Sequence, residues 1–306
     1  MSANINPSLA VIQYSSQFQL LLQRMPVLAN YADKGSYVGK QASPVNQIGP
    51  VNARKVTTRF APMGRVDAPV DRRWVFPVDY DLPQLVDTLD ELRVLGDPKS
   101  TLVQNGLIAM GRAMDDELYN AMFGTAQTGE QGGTAVPFGT TVTSSGGNNV
   151  AVAFGAASAS NLTVPKVREA KRKLLANNVN PKTEQLLMAV GPKEMDSLLS
   201  EVQVINTEDF KGLGVRIDDS GIITRILGID VLFFNGITTG TDDASGTSNQ
   251  IPVWAKSGMH IGMWNGIKTS VTQRDDLINL PWQAYCQGTF GATRLEENKI
   301  VRIWAR

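Results

Sequence analysis

Residues 98–123 carry the signal that most restricts this chain. Val103, Leu107, Met110, Met114, Leu118 and Met122 recur at spacings of three and four, which puts them on one face of a long helix. Asp97 can cap its start, Pro98 suits the first turn, and Gly124 suits the stop. At ~1.5 Å of rise per residue the helix is a rod of roughly 39 Å. Gly106 and Gly111 weaken it, since each costs about 1 kcal/mol against alanine in a helix interior. The rod follows a stretch, residues 35–69, that reads as a two-stranded loop and not as a packed domain. Its alternating pieces, such as Lys55-Val56-Thr57-Thr58-Arg59-Phe60, are broken by Pro44, Gly49-Pro50 and Gly64. Loops of this length are uncommon in compact domains and usually functional. A rigid rod beside a chain that reaches away from its core suits a subunit that grips its neighbours.

Charge sharpens that reading. The whole chain has 29 basic and 29 acidic side chains and no formal net charge, which excludes a uniformly basic nucleic-acid binder. Locally the balance is lost. Residues 34–73 contain Lys34, Lys40, Arg54, Lys55, Arg59, Arg65, Arg72 and Arg73 against Asp67 and Asp71, a net charge of +6. Residues 79–117 contain Asp79, Asp81, Asp87, Asp90, Glu91, Asp97, Asp115, Asp116 and Glu117 against Arg93, Lys99 and Arg112, a net charge of −6. Such blocks attract each other within a chain or between chains.

The 306 residues are enough for one large domain or two smaller ones. Asn6-Pro7-Ser8 opens an N-terminal helix whose apolar stripe is Leu9, Ile12, Phe18, Leu21 and Leu22. Met25-Pro26 ends it. A short strand is expected at Arg73-Trp74-Val75-Phe76. Residues 125–160, rich in glycine, serine and threonine, read as an extended hairpin or loop. A second helix is expected over 164–176, a buried strand over 185–190, and a short helix over 193–200. Two strand pieces flank Gly228 in 222–234. Residues 238–250 read as a polar loop, and 253–264, 269–272 and 299–304 as closing strands. No internal repeat is visible. The N-terminus shows no signal peptide and no stretch is apolar enough to span a membrane, so the cytoplasm is the default setting.

Catalytic chemistry has little to work with. His260 is the only histidine and lies in the strand-like run Met259-His260-Ile261-Gly262-Met263, where a hydrogen-bonded strand histidine is the simpler reading. Cys286 is the only cysteine. It excludes an intrachain disulfide and reads as a small packed side chain. One His and one Cys make a zinc site a poor expectation. Gly124 and Gly129 have phosphate-loop spacing, but Glu130 and Gln131 stand where that loop needs Lys and Ser or Thr. The pairs Asp115-Asp116, Asp218-Asp219, Asp242-Asp243 and Asp275-Asp276 read as solvated or interface charge, because neighbours on a helix do not share a face. The helix over 164–176 is mainly basic, through Lys166, Arg168, Lys171, Arg172 and Lys173. Val167, Ala170 and Leu174 mark it as half-buried with a solvated basic face, while phosphate contact is the alternative.

The order of these parts resembles the major capsid proteins of tailed bacteriophages with the Hong Kong 97-type fold. The stretches that carry the resemblance are Arg72-Arg73-Trp74-Val75-Phe76-Pro77, Gly111-Arg112-Ala113-Met114-Asp115-Asp116, Phe123-Gly124-Thr125-Ala126, Asn206-Thr207-Glu208-Asp209-Phe210 with Gly228-Ile229-Asp230-Val231, and Gly288-Thr289-Phe290-Gly291-Ala292-Thr293-Arg294. It covers nearly the whole chain. It implies an α+β fold with an N-terminal arm (1–33), an extended loop (34–73) and a peripheral domain (74–163). That domain holds the spine helix (98–123) and a glycine-rich loop (124–160). An axial domain (164–246) and a return to the peripheral sheet (247–306) follow.

The implied function is a non-enzymatic, self-assembling icosahedral shell around a double-stranded DNA phage genome, without cofactors. The implied partners are further copies in pentamers and hexamers, a separate scaffolding protein, a portal protein and, in some relatives, a decoration protein. Packaged DNA would be held weakly and non-specifically, and no membrane is involved. The protein would sit in the virion capsid after assembly in the host bacterial cytoplasm. A separate scaffold is expected because no coiled-coil segment of about a hundred residues precedes the arm. Some relatives cross-link a loop lysine to a neighbour's asparagine; Lys55 lies near the loop, but nothing specifies its partner. The inter-subunit contact candidates are Lys40, Arg54, Lys55, Arg59 and Arg65 on the basic side, and Asp87, Asp90, Glu91, Asp115 and Asp116 on the acidic side. The alternatives are an encapsulin-type compartment, which shares the fold but encloses cargo enzymes, and an unrecognised hydrolase.

Overall fold

The computed structural model describes residues 20–55, 57, 64–86, 99–139, 147–204, 215–244 and 246–306. Residues 1–19 of the expected N-terminal helix, the acids Asp87, Asp90, Glu91 and Asp97, and the stretch 206–210 lie outside the described residues; 20–24, expected as the end of that helix, are not helical, and Leu21 and Leu22 of its apolar stripe are exposed. In chain order the strands and helices are β1 (Asp33–Ser36), β2 (Ala42–Ile48), β3 (Val70–Val75), β4 (Val78–Val86), α1 (Lys99–Phe123), β5 (Ala126–Thr128), β6 (Thr134–Val136), β7 (Asn149–Val150), α2 (Val164–Ala176), β8 (Leu186–Val190), α3 (Pro192–Val204), β9 (Arg216–Ile217), β10 (Ile223–Ile226), β11 (Ile229–Phe233), β12 (Thr239–Thr241), β13 (Thr247–Ala255), β14 (Met259–Gln273), β15 (Trp282–Arg294) and β16 (Ile300–Ala305). A short 3₁₀ turn, Leu28–Tyr31, precedes β1.

Three sheets organise these elements. One has the order β1-β14-β15-β4, with β1 parallel to β14 and the other pairs antiparallel. A second has the order β2-β3-β5-β6. The largest runs β7-β16-β13-β8-β11-β10-β9, with β12 added on β13. Its strand β8, Leu-Leu-Met-Ala-Val, is buried at every position. The alternation of strand side chains explains why. Leu186, Met188 and Val190 face a core with Val167, Ala170 and Leu174 of α2 and Met195 and Leu198 of α3. Leu187 and Ala189 face a second core with Leu28 and with Leu118, Tyr119 and Met122 of α1. A third cluster joins Met114 of α1 to Ile261 of β14 and Phe290 of β15. One helix thereby fastens two sheets together.

The spine helix agrees with the expected rod, and its buried face is Met110, Met114, Leu118 and Met122. Leu107, placed on that face by spacing, is 41% exposed, while its neighbour Gly106 is buried and turned to β15. Three further expectations need correction. Residues 238–250 are no plain loop: β12 and the start of β13 form a hairpin. The Asp242 carboxylate closes its turn by accepting from the backbone N–H of Ala244 and Gly246 and from Ser248 Oγ. The strand β15 escaped sequence reading because Gly288 and Gly291 interrupt its pattern. A β-carbon on Gly291 would lie 2.0 Å from the Phe76 carbonyl oxygen, so the glycine marks close backbone approach. The pieces 253–264 and 269–272 are parts of β13 and the long β14, and the helix expected over 193–200 extends over Pro192–Val204.

Candidate assembly surfaces

The reaching loop is a β ribbon. β2 and β3 pair from Ala42↔Val75 to Ile48↔Val70, and Gly49 N–H donates to Pro69 O one step further out. Its root is tied down: Trp74 Nε1 donates to Gly129 O at 2.7 Å, and Gln47 Nε2 to Leu295 O at 2.6 Å. Past the root both faces meet solvent. Ile48 is 72% exposed and Val70 68%, with Val45, Val51 and Val66 also exposed. Lys40, Arg54, Lys55 and Arg65 stand among them, all exposed, with Arg65 paired to Asp67 at 2.5 Å. Arg59 lies outside the described residues. The ribbon presents apolar and basic side chains together, because no layer of the described residues covers it.

The acidic candidates divide differently from expectation. Asp115 is fully buried, not an interface charge. Its carboxylate accepts from Val27 N–H at 2.6 Å and Ala29 N–H at 2.9 Å, holding the turn before β1 against α1. Burial raises its pKa, against the lowering by those backbone donors. Asp116 pairs with Arg24 at 2.6 Å. Glu117 accepts from the Tyr80 hydroxyl, and Asp79 from Thr289 Oγ1 at 2.6 Å. Among the described acids of residues 79–117, Asp79 and Asp81 on β4 and Asp116 on α1 stay exposed.

The basic block also loses a member to the interior. Arg73, on β3, is buried with its guanidinium 3.7 Å from Glu297. Arg294, fully buried at the end of β15, lies 3.1 Å from the same carboxylate. Arg294 donates to Met122 O at 3.1 Å and Gly124 O at 2.7 Å, satisfying carbonyls at the spine helix C-terminus, and to Val136 O at 3.0 Å on β6. Burial pulls its pKa below the ordinary arginine value, while Glu297 opposes the shift. This junction of spine, hairpin and sheet was not read from sequence. The i,i+3 spacing of Arg294 and Glu297 was visible, but their link to Arg73 crosses most of the chain.

An exposed ribbon and a sheet-bound rod describe an assembling subunit, and the comparison with known families agrees. The family model for phage capsid proteins matches residues 6–305. The chain belongs to that family. Its fold is similar to the capsid of cyanophage P-SCSP1u, with TM-score 0.72 and 14% identity over 98% of this chain and 94% of that chain. It is also similar to the capsid of cyanophage Pam1, with TM-score 0.69 and 12% identity over 99% and 98%. The capsid of Helicobacter pylori bacteriophage KHP30 gives TM-score 0.67 and 10% identity over 99% and 98%. No curated protein matches. The α+β architecture is the Hong Kong 97-type capsid fold. Membership makes this chain a structural protein of the phage shell and not an enzyme.

The remaining chemical groups of this capsid protein serve its fold. Cys286 is buried beneath α1. His260 is buried, with Nε2 2.8 Å from the Tyr37 hydroxyl, as the strand reading expected. The basic helix α2 is half-buried, but its basic face is not simply solvated. Lys166 is fully buried and donates to Ser160 O, Asn161 O and Trp304 O at 2.7–3.0 Å. Lys171 donates to Leu227 O, and Lys173 to Gly147 O and Asn149 O. Arg172 pairs with Glu169, and both Arg168 and Arg172 are exposed. The ammonium groups serve backbone carbonyls of neighbouring loops and strand ends, which spacing alone does not show. Among the described residues there is no cluster of three or more metal-binding side chains, and no helix is long and apolar enough to cross a membrane.

Proposed function

We propose that the chain is the major capsid subunit of a tailed phage, and that its shell of pentamers and hexamers encloses double-stranded DNA. Residues 34–73 form the extended loop that lies on an adjacent copy. Residues 74–163 and 247–306 build the peripheral domain, and 164–246 the axial domain at capsomer centres. Assembly takes place in the host cytoplasm with a separate scaffolding protein and a portal, and a decoration protein is a further candidate partner. DNA is held weakly and without sequence preference.

The observation that supports this reading is the ribbon itself. Ile48, Val51, Val66 and Val70 stand in water on a two-stranded element with a basic rim. An isolated two-stranded ribbon is marginal in water. It gains order by burying those side chains on another copy, which offsets its conformational entropy. On β4, Leu85 is exposed, with Asp81, also exposed, four residues before it on the same face of the strand.

Electron microscopy of the purified chain, with and without its candidate scaffold, tests the proposal. Closed shells, rings or tubes are expected. A chain that stays monomeric at high concentration under both conditions defeats it.

A further inference from the structure

We propose that Tyr37 and His260 form an acid-sensitive latch that fastens the root of the ribbon to the central sheet. β1 is the last element of the sheet before the chain leaves for the ribbon. It is an edge strand held by a short parallel register, from Asp33↔His260 to Ser36↔Met263, and by Tyr37 N–H donating to Met263 O at 2.9 Å. Two residues on, Gly39 takes φ +106° and the chain turns toward β2. Tyr37 is therefore one fastening at the root of the ribbon, on the β1 side, while Trp74 and Gln47 hold its two strands.

The Tyr37 side chain folds back over β14 into a slot cut by two glycines. Gly35 and Gly262 are register partners. A β-carbon on Gly35 would lie 2.5 Å from Tyr37 Oη, and one on Gly262 would lie 3.0 Å from the Tyr37 ring. In that slot the ring centroid is 5.7 Å from His260 and 5.5 Å from Trp264, and Oη is 2.8 Å from His260 Nε2. The imidazole is buried, so its neutral form suits the closed slot. Burial lowers its pKa, and the smaller opposing influence is the charge of Asp33 on β1. Of the other neighbours, the β15 residue opposite His260 is the uncharged Thr293, and Lys34 on β1 turns to Asn30 Oδ1. Lifting residues 33–37 off the edge exposes the imidazole to water, where it takes a proton more easily. Acid therefore favours the open root. The sign follows from linkage: the open form binds more protons, so closure weakens as pH falls through about 6.5 and below.

The chain has one histidine, which makes the test clean. A ¹³C-histidine-labelled full chain gives one imidazole signal to titrate. Hydrogen exchange, corrected for intrinsic rates, reports protection of the Gly35–Val38 amides in parallel. The expected result is a wild-type imidazole titrating below its ordinary value. Protection should fall from pH 7.5 to 5.0, by up to tenfold for each unit that separates the open-form and closed-form imidazole pKa. His260→Gln should show no such fall. Tyr37→Phe, which keeps the ring and loses the hydroxyl, should be less protected already at pH 7.5. The latch is overturned by flat wild-type protection, by an equal fall in His260→Gln, or by an imidazole titrating at or above its ordinary value. The wild-type titration and Tyr37→Phe decide the matter even where His260→Gln does not fold.

Discussion

Gly106 of the spine helix rests directly on Cys286 of β15: a β-carbon at Gly106 would lie 2.4 Å from the cysteine Sγ. Gly111, one turn on, meets Pro26 in the same way, with Cγ 2.7 Å from the same construction. The two glycines that weaken the helix as an isolated segment are the ones that let it approach its neighbours.

Gly106→Ala sets two effects against each other. Alanine gains about 1 kcal/mol of helix propensity. Overpacking against the Cys286 sulfur costs about 1–3 kcal/mol. A net loss of stability is expected in urea unfolding, and Cys286→Ala in the same chain should restore most of it. A stabilised Gly106→Ala single variant would show that α1 and β15 do not meet closely.

The spine should respond unevenly to truncation. Leu118 is fully buried between α1 and the largest sheet, so Leu118→Ala should cost about 2–5 kcal/mol. Leu107→Ala should change the unfolding midpoint of the free chain far less, because that side chain is half in water. If Leu107 lies beneath a neighbour's ribbon, the same variant should still lower particle yield.

Arg294 is expected to be among the least replaceable side chains. Arg294→Met leaves the carbonyls of Met122, Gly124 and Val136 without this donor, and Arg73 as the remaining guanidinium at Glu297. Breaking one side of a buried ion pair costs about 3–5 kcal/mol. Arg294→Lys should recover only part, since one ammonium cannot span the helix end and β6 together. Equal stability of wild type and Arg294→Met in denaturant titration would refute the role.

Lys166 offers a prediction in alkali. Its pKa is lowered to about 8 by burial, against an ordinary 10.5. Between those values the unfolded chain binds more protons than the folded one, so folding gains stability as pH rises. Lys166→Met should lack that gain, and at pH 7 should lose about 1–3 kcal/mol because three carbonyls lose their donor. Thermal unfolding of both chains from pH 7 to 10.5 measures the difference.

Reversing Arg54, Lys55 and Arg59 to Glu should impair assembly. Each exposed pair is worth only ~0.2–1 kcal/mol, but a shell repeats each contact. Wild-type particles should also lose stability in high salt, as screening shortens from about 8 Å at physiological strength. Normal assembly of the triple variant at every salt concentration would leave the ribbon held by apolar contact and backbone pairing.

Much of the fold was legible because periodicity reports burial. The spacing of Met110, Met114, Leu118 and Met122 marked the spine, and the run Leu186 to Val190 marked a strand covered on both sides. Gly228 separated two strands as expected. What stayed hidden depended on partners far along the chain. Gly288 and Gly291 blurred β15, although Gly291 is the residue that its close approach to Phe76 needs. Asp115 read as surface charge because nothing local shows that Val27 and Ala29 turn their amides toward it. Lys166, Lys171 and Lys173 read as a solvated face, because sequence spacing does not show which loop carbonyls need donors.

The amino-acid sequence by itself determined where this chain is stiff, where it is extended, and that its histidine and cysteine are too few for most catalytic or metal chemistry. Those properties follow from local spacing, turn residues and counts. Tertiary structure alone decided which charges face outward. A charge stays outside or goes inside according to whether distant backbone and side-chain groups repay its lost hydration, and that depends on the packing of strands far apart in sequence. Thus Arg73 and Asp115 are interior, while Arg54, Lys55 and Ile48 are exposed.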